Sequence, residues 1–254
     1  MDWNAFIQAI SPMYGRDEAL AIARILEQEK IDAASVLERV LKAEPLQYII
    51  GKTWFYKNEF LVAPGALIPR PETEELVDTI VKENLKGGKG IDIGTGSGCI
   101  AISLAKAYSN WNFTATDVSE NALHLAKKNA RVLGCNNLEF LQHDFLNDAF
   151  PGNEYSLIVS NPPYIAPKEA EEMEKNVLLF EPHLALFTPE ADALIFYRRL
   201  REFLDYQISA CTLYAEINAA LGAETLDVFA AYPQRKLLKD MSGNDRFIEI
   251  NKEG

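Results

Sequence analysis

From about residue 89 the chain alternates short apolar strands with helical patterns, and this alternation restricts the fold more than any other feature. Strand-like runs cover residues 90–93, 113–117, 138–141, 155–160, 211–217, 235–238 and 246–251; helical patterns run to residue 108 and over 120–133, 191–204 and 219–232. Such alternation is typical of a mainly parallel sheet covered on both faces. We therefore predict an α/β fold with a seven-stranded sheet that binds ligands at the carboxyl ends of its strands.

Two smaller parts precede this region. Residues 1–50 have apolar side chains at helical spacing and no obvious chemical constellation, so we predict a small amino-terminal helical domain for packing or partner recognition. From Thr53 to Val62 the pattern becomes β-like around Lys57-Asn58-Glu59, which predicts a β-hairpin. We assign residues 51–65 to this hairpin linker and residues 66–254 to the ligand-binding domain.

Composition narrows the class of partner. The chain has 254 residues, of which 48% are hydrophobic, enough for a full globular core. Its net charge of −12 argues against nucleic-acid binding, which depends on Lys and Arg neutralising phosphates. The densest basic cluster, Arg198-Arg199-Leu200-Arg201, lies in a helical stretch and is interpreted as a solvated face.

The cysteines and the amino terminus indicate the compartment. Cys99, Cys135 and Cys211 form no C-x-x-C pair and have no neighbouring histidine cluster, so we expect neither a disulfide framework nor a metal site. Residues 1–5 lack the features of a signal peptide, and no apolar run reaches membrane-spanning length. A cytoplasmic protein without a membrane partner is the expectation.

The first strand leads into a glycine-rich loop, Gly94-Thr95-Gly96-Ser97-Gly98. Glycine at these positions permits a tight turn and close approach of a ligand to the backbone. A dinucleotide fingerprint would need its last glycine where Cys99 stands, so a nicotinamide oxidoreductase is the least favoured enzyme. Asp92 would repel a pyrophosphate but attract the α-amino group or sulfonium region of S-adenosylmethionine.

Acidic residues follow the next two strands. Asp117 comes 19 residues after Gly98, where a carboxylate usually holds a ribose diol; the alternative is a helix-capping Asp. After the third strand, Asp144 is predicted to accept from the adenine amino group and Phe145 to lie on the ring. For this pair the alternative is a turn Asp beside a core Phe.

The fourth strand ends in Asn161-Pro162-Pro163-Tyr164. The two prolines stiffen the loop and push Asn161 and Pro162 into extended geometry. Asn161 supplies a side-chain carbonyl, Pro162 a main-chain carbonyl and Tyr164 a flat face, a combination that suits a planar amino group. On its own this motif is also compatible with a Pro-rich turn after a strand.

At this point the chain resembles the protein glutamine methyltransferases that modify class 1 peptide chain release factors. The resemblance is carried over nearly the whole chain by residues 45–49, 67–74, 94–98, 115–117, 161–164 and 181–186. It implies a Rossmann-like, S-adenosylmethionine-dependent methyltransferase domain joined by the hairpin to a helical domain that recognises the release factor. It also implies cofactor binding by Asp92, residues 94–98, Asp117, Asp144, Phe145 and Asn161.

The implied acceptor is the glutamine of a Gly-Gly-Gln motif, methylated on its side-chain amide nitrogen. Residues 161–164 would bind this glutamine, with Asn161, Pro162 and Tyr164 in the catalytic roles, and the enzyme is expected to be a monomer. Two departures from the family pattern stand out: Asn218 where a glycine is expected two residues after Glu216, and Ala193 where glycine is usual.

Two alternatives remain open. Asn-Pro-Pro-Tyr also occurs in adenine and guanine amine methyltransferases, so the chain could act on a nucleic-acid base, although its acidity argues against that. A non-catalytic module that binds S-adenosylmethionine is the alternative from another class; the intact Asp92, Asp117 and Asn161 argue against decay of the site.

Overall fold

The computed structural model describes residues 1–189 and 192–254, without the side chains of residues 171 and 172. The α-helices are α1 (Trp3–Tyr14), α2 (Arg16–Gln28), α3 (Ala33–Leu41), α4 (Leu46–Ile50), α5 (Pro71–Lys82), α6 (Cys99–Ala107), α7 (Glu120–Val132), α8 (Lys175–Phe180), α9 (His183–Leu186), α10 (Ile195–Tyr206) and α11 (Gly222–Val228). The strands are β1 (Lys52–Phe55), β2 (Asn58–Leu61), β3 (Lys89–Ile93), β4 (Asn112–Asp117), β5 (Leu138–Gln142), β6 (Leu157–Ser160), β7 (Cys211–Glu216), β8 (Gln234–Lys239) and β9 (Asp245–Lys252).

Strands β3 to β9 form one seven-stranded sheet in the order β5-β4-β3-β6-β7-β9-β8. The first five strands of this order are parallel, whereas β9 is antiparallel to both of its neighbours. The predicted α/β fold is therefore confirmed. Because β4 and β6 lie on opposite sides of β3, the strand order reverses there, and Ile93 pairs with Ser160 at the carboxyl ends of the two strands.

The sheet is buried on both faces, as its apolar strands predict. One core cluster includes Phe113, Leu157 and Tyr214; the other includes Ile91, Ile158 and Leu213. Alternate residues of a strand point to opposite faces, so the central strands β6 and β7 contribute to both clusters. This packing on two faces holds the strand ends, and the loops that follow them, in fixed relative positions.

The helices of residues 1–50 enclose a third cluster, which includes Phe6, Ile10 and Leu26. The predicted hairpin is present: β1 and β2 pair antiparallel, and Phe55 packs edge-to-face on Phe60 with ring centroids 5.9 Å apart. The division into domains at these boundaries stays a prediction.

One buried side chain joins the hairpin to the glycine-rich loop. Asn129 of α7 accepts from the Leu61 backbone N–H at 2.8 Å and donates to the Leu61 carbonyl at 3.0 Å. Its amide also donates to the Ser97 carbonyl at 2.9 Å. The hairpin and the loop therefore share one polar anchor.

Some predicted elements differ in extent. The helix predicted over 219–232 consists of a short 3₁₀ turn at Ala219–Leu221 followed by α11, which ends at Val228. The helix predicted to begin at Ala191 begins at Ile195, and Ala191 itself lies outside the described residues. None of the helices in the described ranges is long and apolar enough to cross a membrane.

The basic cluster on α10 is not a uniformly solvated face. Arg199 lies over the Phe150 ring at 4.0 Å and donates to the carbonyl oxygens of Phe145 at 3.0 Å and Asp148 at 2.8 Å. Arg198 forms an ion pair with Asp192. The interpretation of a solvated face was wrong for Arg199, because a guanidinium satisfies several carbonyl oxygens at once and its plane covers an aromatic ring.

Candidate active site

A cavity of about 380 Å³ opens at the carboxyl ends of β3, β4, β5 and β6. Residues from seven separate segments line it: Gly65, Ala66, Leu67, Ile93, Gly94, Gly96, Thr116, Asp117, Val118, Ser119, Ala122, His143, Asp144, Phe145, Leu146, Asn147, Ser160, Asn161, Pro162, Pro163, Pro182, Leu184, Ala185, Phe187, Pro189 and Phe196. The cavity therefore lies where the reversal of strand order predicts a ligand site.

The glycine-rich loop forms one wall. Gly94 and Gly96 line the cavity with φ of +75° and +55°, a left-handed conformation that side chains disfavour. The backbone N–H groups of Gly94 and Thr95 donate to the Thr116 carbonyl at 2.9 and 2.8 Å. These two bonds tie the loop to the end of β4, so that the glycine backbone stays open to a ligand.

Asp92 is 1% exposed and lies directly beneath this loop. Its Oδ2 accepts from Thr95 Oγ1 at 2.7 Å and from the Ala101 N–H at 3.2 Å. Among the described residues, its Oδ1 has no hydrogen-bond partner. Burial raises the pKa of Asp92 to about 7, and the bonds from Thr95 and Ala101 oppose that rise. A cation bound nearby would stabilise the ionised form.

Thr95, Ser97 and Gly98 support the loop from below and are not part of the cavity lining. Thr95 and Ser97 are buried, at 4% and 2% exposure. Gly98 precedes α6 with φ +83°, and a Cβ there would approach Ala126 of α7 within 3.0 Å. Of the predicted loop residues, Gly94 and Gly96 face the cavity, while the other three hold them in place.

Asp117 ends β4 and lines the cavity as predicted. Its Oδ2 accepts from the Gly96 N–H and its Oδ1 from the Ser119 N–H, each at 2.9 Å. The cap of α7 is Ser119, whose side chain accepts from Ala122 N, so Asp117 is not the helix cap. Burial raises the pKa of Asp117. Each carboxylate oxygen has a second lone pair that remains able to accept a hydroxyl.

Asp144 and Phe145 also line the cavity, but much of each side chain serves the protein itself. Asp144 accepts from the backbone of Leu146 at 3.1 Å and from the Asn147 side chain at 2.9 Å, and the Asn147 amide lowers its pKa. Phe145 is 6% exposed and packs edge-to-face on Phe203 at 5.7 Å. The turn Asp and core Phe alternative describes these contacts, and adenine recognition stays a prediction.

His143 was not singled out in the sequence. It lines the cavity and is 6% exposed, with Nε2 at 2.9 Å from the Ala149 carbonyl. That contact requires Nε2 to carry the proton, which leaves Nδ1 as an acceptor without a partner within the described part of the chain. Only its buried position beside Asp144 distinguishes this histidine from a surface one.

The Asn161-Pro162-Pro163 segment closes the cavity at the end of β6. Asn161 Nδ2 donates to Thr73 Oγ1 at 3.2 Å. Tyr164 is absent from the cavity lining; its hydroxyl donates to Glu216 Oε1 at 3.1 Å and its ring packs against the cluster that contains Ile158. Asn161 and both prolines thus meet the predicted cofactor residues, and Tyr164 lies behind them.

The sequence did not single out Thr73 and Glu216, which are hydrogen-bonded to Asn161 and Tyr164, respectively. Thr73, in the first turn of α5, is 2% exposed and donates from Oγ1 to Glu216 Oε2 at 2.7 Å. Burial raises the pKa of Glu216, while bonds from Thr73 and Tyr164 and the charge of Arg246 oppose that rise. An acidic residue that ends a central strand was the available signal, since that end of the sheet carries the site.

Glu181 links two of the segments that line the cavity, residues 65–67 and the segment around α9. Its Oε1 accepts from Arg70 Nη2 at 2.5 Å and its Oε2 from the Ile68 N–H at 3.2 Å. The Glu181 side chain is 1% exposed against 33% for Arg70, so the pair is shielded from solvent on the acid side. This contact joins the loop before α5 to the segment around α9, and both contribute lining residues.

The two departures from the expected pattern are accommodated locally. Asn218 has φ −67°, which any residue adopts; its side chain accepts from Ala220 N at 3.0 Å and donates to Glu169 at 3.2 Å. Ala193 lies in a turn before α10. Asn218 therefore caps the short 3₁₀ turn that follows β7.

The arrangement offers three kinds of contact to one ligand. Asp117 presents a carboxylate to the cavity, Asp92 lies buried beneath the glycine-rich loop outside the lining with one unpartnered oxygen, and Leu146 and Phe196 add apolar surface. Asn161 presents an amide to the cavity. A molecule with a cationic end, a hydroxylated middle and a planar apolar end would match this order.

Comparison with known proteins identifies the family. The family model for the methyltransferase small domain matches residues 71–185. A ribosomal protein L11 methylase from Lactobacillus delbrueckii subsp. bulgaricus, at 20% identity and a TM-score of 0.53 over 76% of this chain and 84% of that one, has the same fold.

Closer relatives are found by sequence. The chain is 47% identical to the release factor glutamine methyltransferase of Flavobacterium psychrophilum, over 85% of this chain and 79% of the relative. It is 43% identical to that of Bacteroides thetaiotaomicron, over 97% and 88% respectively. With this identity along nearly its whole length, the chain belongs to the release factor glutamine methyltransferase family.

Proposed function

We propose that this protein transfers a methyl group from S-adenosylmethionine to the side-chain amide nitrogen of the glutamine in the Gly-Gly-Gln motif of class 1 peptide chain release factors. The observation that carries the proposal is the meeting, at one cavity, of the glycine-rich loop with Asn161 and Pro162, in a chain 47% identical to an enzyme named for that reaction. The protein is then a methyltransferase, consistent with its family.

The cavity fits S-adenosylmethionine. The unpartnered Oδ1 of Asp92 is a buried acceptor next to the glycine-rich loop, suited to the cofactor's ammonium group directly or through water. Asp117 has lone pairs for the ribose hydroxyls, and the Asp144-Phe145 turn borders the space for adenine. When bound, the cofactor supplies an electrophilic methyl group on its sulfonium.

Asn161 and Pro162 would hold the acceptor. The Asn161 Oδ1 and the Pro162 carbonyl each accept one N–H of the glutamine amide, and together they orient its nitrogen toward the methyl group. An amide nitrogen is a weak nucleophile because its lone pair is delocalised into the carbonyl. Orientation therefore has to provide much of the rate, and positioning of this kind can lower a barrier by roughly 7–11 kcal/mol.

The same two oxygens also act on charge. As the nitrogen gains positive charge in the transition state, two fixed acceptors stabilise it more than they stabilise the neutral amide. The proton becomes acidic only as the methyl group transfers, so a dedicated general base is unnecessary. Tyr164, held by Glu216, would support the wall on which the acceptor amide packs.

The remaining parts of the proposal concern partners and compartment. Residues 1–50 and the hairpin would grip the release factor, and the exposed Trp54, at 66% exposure, is the largest apolar side chain on the hairpin surface. We propose a cytoplasmic monomer that binds no nucleic acid, in keeping with the net charge of −12 and with three free cysteines.

A labelled-methyl assay tests the function. Purified protein is incubated with radiolabelled S-adenosylmethionine and a class 1 release factor, and label is counted in the protein fraction. We expect incorporation near one methyl group per factor. Changing the motif glutamine of the factor to glutamate should abolish it, whereas label persisting on that altered factor would contradict the proposed substrate.

Parallel reactions with total tRNA, rRNA and DNA test the nucleic-acid alternative. Label in any of these, but none in the release factor, would favour an adenine or guanine amine methyltransferase. The non-catalytic alternative predicts that S-adenosylmethionine binds in a calorimetric titration while neither the release factor nor any nucleic acid becomes labelled.

A further inference from the structure

The buried Glu216 lies behind residues 161–164, which we call the acceptor loop; it bonds Tyr164 directly and reaches Asn161 through Thr73. Its side chain ends β7 at 2% exposure. Oε2 accepts from the Thr73 hydroxyl at 2.7 Å, and the same Thr73 oxygen accepts from Asn161 Nδ2 at 3.2 Å. Oε1 accepts from the Tyr164 hydroxyl at 3.1 Å. Glu216 is thus linked to both ends of the acceptor loop.

When Glu216 is ionised, the hydrogen bonds that link Asn161, Thr73 and Glu216 can run in only one direction. A carboxylate can only accept, so the single hydrogen of the Thr73 hydroxyl is directed to Glu216. Thr73 then has only lone pairs left for its other neighbour. Asn161 must therefore turn its NH2 group toward Thr73, which leaves its Oδ1 at the opposite end of the amide.

This orientation decides what Asn161 can do. The two ends of an asparagine amide have nearly the same shape, so packing alone does not select between them. With Oδ1 directed away from Thr73, the side chain accepts a hydrogen bond from an amino group. In the reversed orientation an NH2 group would face the NH2 group of the acceptor, and neither could accept from the other.

A buried carboxylate is an expensive way to fill this position. Removing an ionised acid from water costs free energy unless it is paired and hydrogen-bonded, and the nearest cation, Arg246, is itself bonded to Asp240 at 3.1 Å. Tyr197 further fixes the end of β7 by donating to the Glu216 carbonyl at 3.0 Å. A neutral side chain would pack there with less desolvation, so the charge serves something other than stability.

We propose that Glu216 is a positioning residue for methyl transfer: through Thr73 it sets the direction of the Asn161 amide, and through Tyr164 it holds the other end of the acceptor loop. The proposal rests on the proposed function, since it assigns how Asn161 is kept ready to accept from an amide or amine nitrogen. Thr73 is the relay between them: its hydroxyl donates to Glu216 and accepts from the Asn161 NH2 group.

Glu216→Gln is the central test, because it keeps the shape of the side chain but replaces a carboxylate, which can only accept hydrogen bonds, with an amide that can also donate them. Its amide can donate to Thr73, which allows the Asn161 side chain to reverse. We expect kcat for release factor methylation to fall about 10- to 100-fold, with the Kd for S-adenosylmethionine within about threefold of the unmodified protein. We also expect a melting temperature equal to or above that of the unmodified protein.

Thr73 supplies a matched pair. Thr73→Val keeps the branched shape without the hydroxyl and should lower kcat to a similar extent as Glu216→Gln. Thr73→Ser keeps the hydroxyl and should recover most of the activity that the valine variant loses. If the valine and serine variants lost activity equally, the relay through the hydroxyl would be refuted.

A double variant separates positioning from other roles. In an Asn161→Ala background there is no amide to orient, so adding Glu216→Gln should change kcat by less than about threefold. A full additional loss would overturn the proposal, as would a fall in S-adenosylmethionine affinity as large as the fall in kcat. Failure of the proposed function is distinct, because the unmodified protein would then not methylate the factor.

Discussion

At the scale of single residues, the site combines two buried acids with different surroundings. Asp92 and Glu216 are 1% and 2% exposed, and burial raises the pKa of both. Both oxygens of Glu216 are hydrogen-bonded, whereas one oxygen of Asp92 has no partner among the described residues. The hydrogen bonding of Glu216 is therefore satisfied without a ligand, whereas a ligand would supply the missing partner of Asp92. This difference predicts opposite behaviour toward the cofactor.

Asp92→Asn should stabilise the ligand-free protein at pH 8 and abolish tight cofactor binding. The folded pKa of about 7 lies above the ordinary value of 3.8, so the folded state holds this proton more tightly than the unfolded state does. That contribution is complete below the ordinary pKa and is lost as the pH rises through about 7. We expect the variant to be more stable at pH 8 by roughly 1–4 kcal/mol.

Urea denaturation at pH 5 and pH 8 measures this effect, and calorimetry measures cofactor affinity. The gain in stability should be smaller at pH 5, where most Asp92 is already protonated. A variant that gains equally at both pH values, or that binds S-adenosylmethionine normally, would contradict the assigned role. Thr95→Ser serves as a control, because it keeps the hydroxyl that donates to Asp92.

Asn161→Ala should impair turnover without impairing cofactor binding. The substitution removes one of two proposed acceptors for the substrate N–H groups, and loss of one preorganised polar group in an active site costs about 10²–10³-fold in kcat. Steady-state kinetics with release factor and calorimetry with S-adenosylmethionine distinguish the two steps. If cofactor affinity collapsed instead, Asn161 would belong to the cofactor site.

At the scale of elements, the glycine-rich loop is held by the close approach of α6 and α7. Gly98 stands where the chain turns from the loop into α6, with φ +83°. A Cβ at this position would lie 2.9 Å from Ile102 Cδ1 and 3.0 Å from Ala126 Cβ. Backbone conformation and packing therefore both require glycine here.

Gly98→Ala should destabilise the protein by about 2–4 kcal/mol, because the left-handed conformation and the contact with α7 both oppose a methyl group. Gly134→Ala is the matched control: its φ is +66°, but a Cβ there meets nothing within 4 Å. The control should lose only about 1 kcal/mol. Chemical denaturation of both variants measures the difference, and equal losses would show that packing against α7 is unimportant.

At the scale of the whole molecule, the strand ends of the sheet form the cavity, and the hairpin is tied to the glycine-rich loop that lines it. Asn129 links the hairpin strand at Leu61 to the glycine-rich loop at Ser97. A protein bound on the hairpin would therefore be held at a fixed position relative to the cavity. Trp54 is the side chain best suited to such a contact, since exposed tryptophans often dominate binding energy.

Trp54→Ser should raise the KM for release factor about tenfold or more while leaving kcat and cofactor affinity nearly unchanged. Ile208→Ser is the control, because Ile208 is similarly exposed, at 69%. It lies just before β7, at the amino end of that strand, whereas the cavity lies at the carboxyl ends of the parallel strands. Methylation kinetics with varied release factor measure both. A raised KM in the control, or none in Trp54→Ser, would remove the hairpin from the recognition surface.

Much of this architecture could be predicted from the chain alone because it depends on local patterns. Apolar strands and helical spacing predict a parallel sheet, and the glycines after the first strand predict a tight loop in which Gly94, Gly96 and Gly98 adopt positive φ. The positions of Asp117 and Asn161 at strand ends follow from the same patterns. For these residues, being next to each other in space follows from being at equivalent ends of parallel strands.

What only the tertiary structure decided involves partners far apart in the chain. Thr73 and Glu216 are 143 residues apart, and Arg70 and Glu181 are 111 apart. Each of these residues has an ordinary local interpretation: Thr73 starts a helix and Glu216 ends a strand. Burial and a specific hydrogen-bonded neighbour change their chemistry, and both depend on how sheet and helices pack. The sequence by itself therefore determined where the chemistry lies, and the packing decided which side chains orient it.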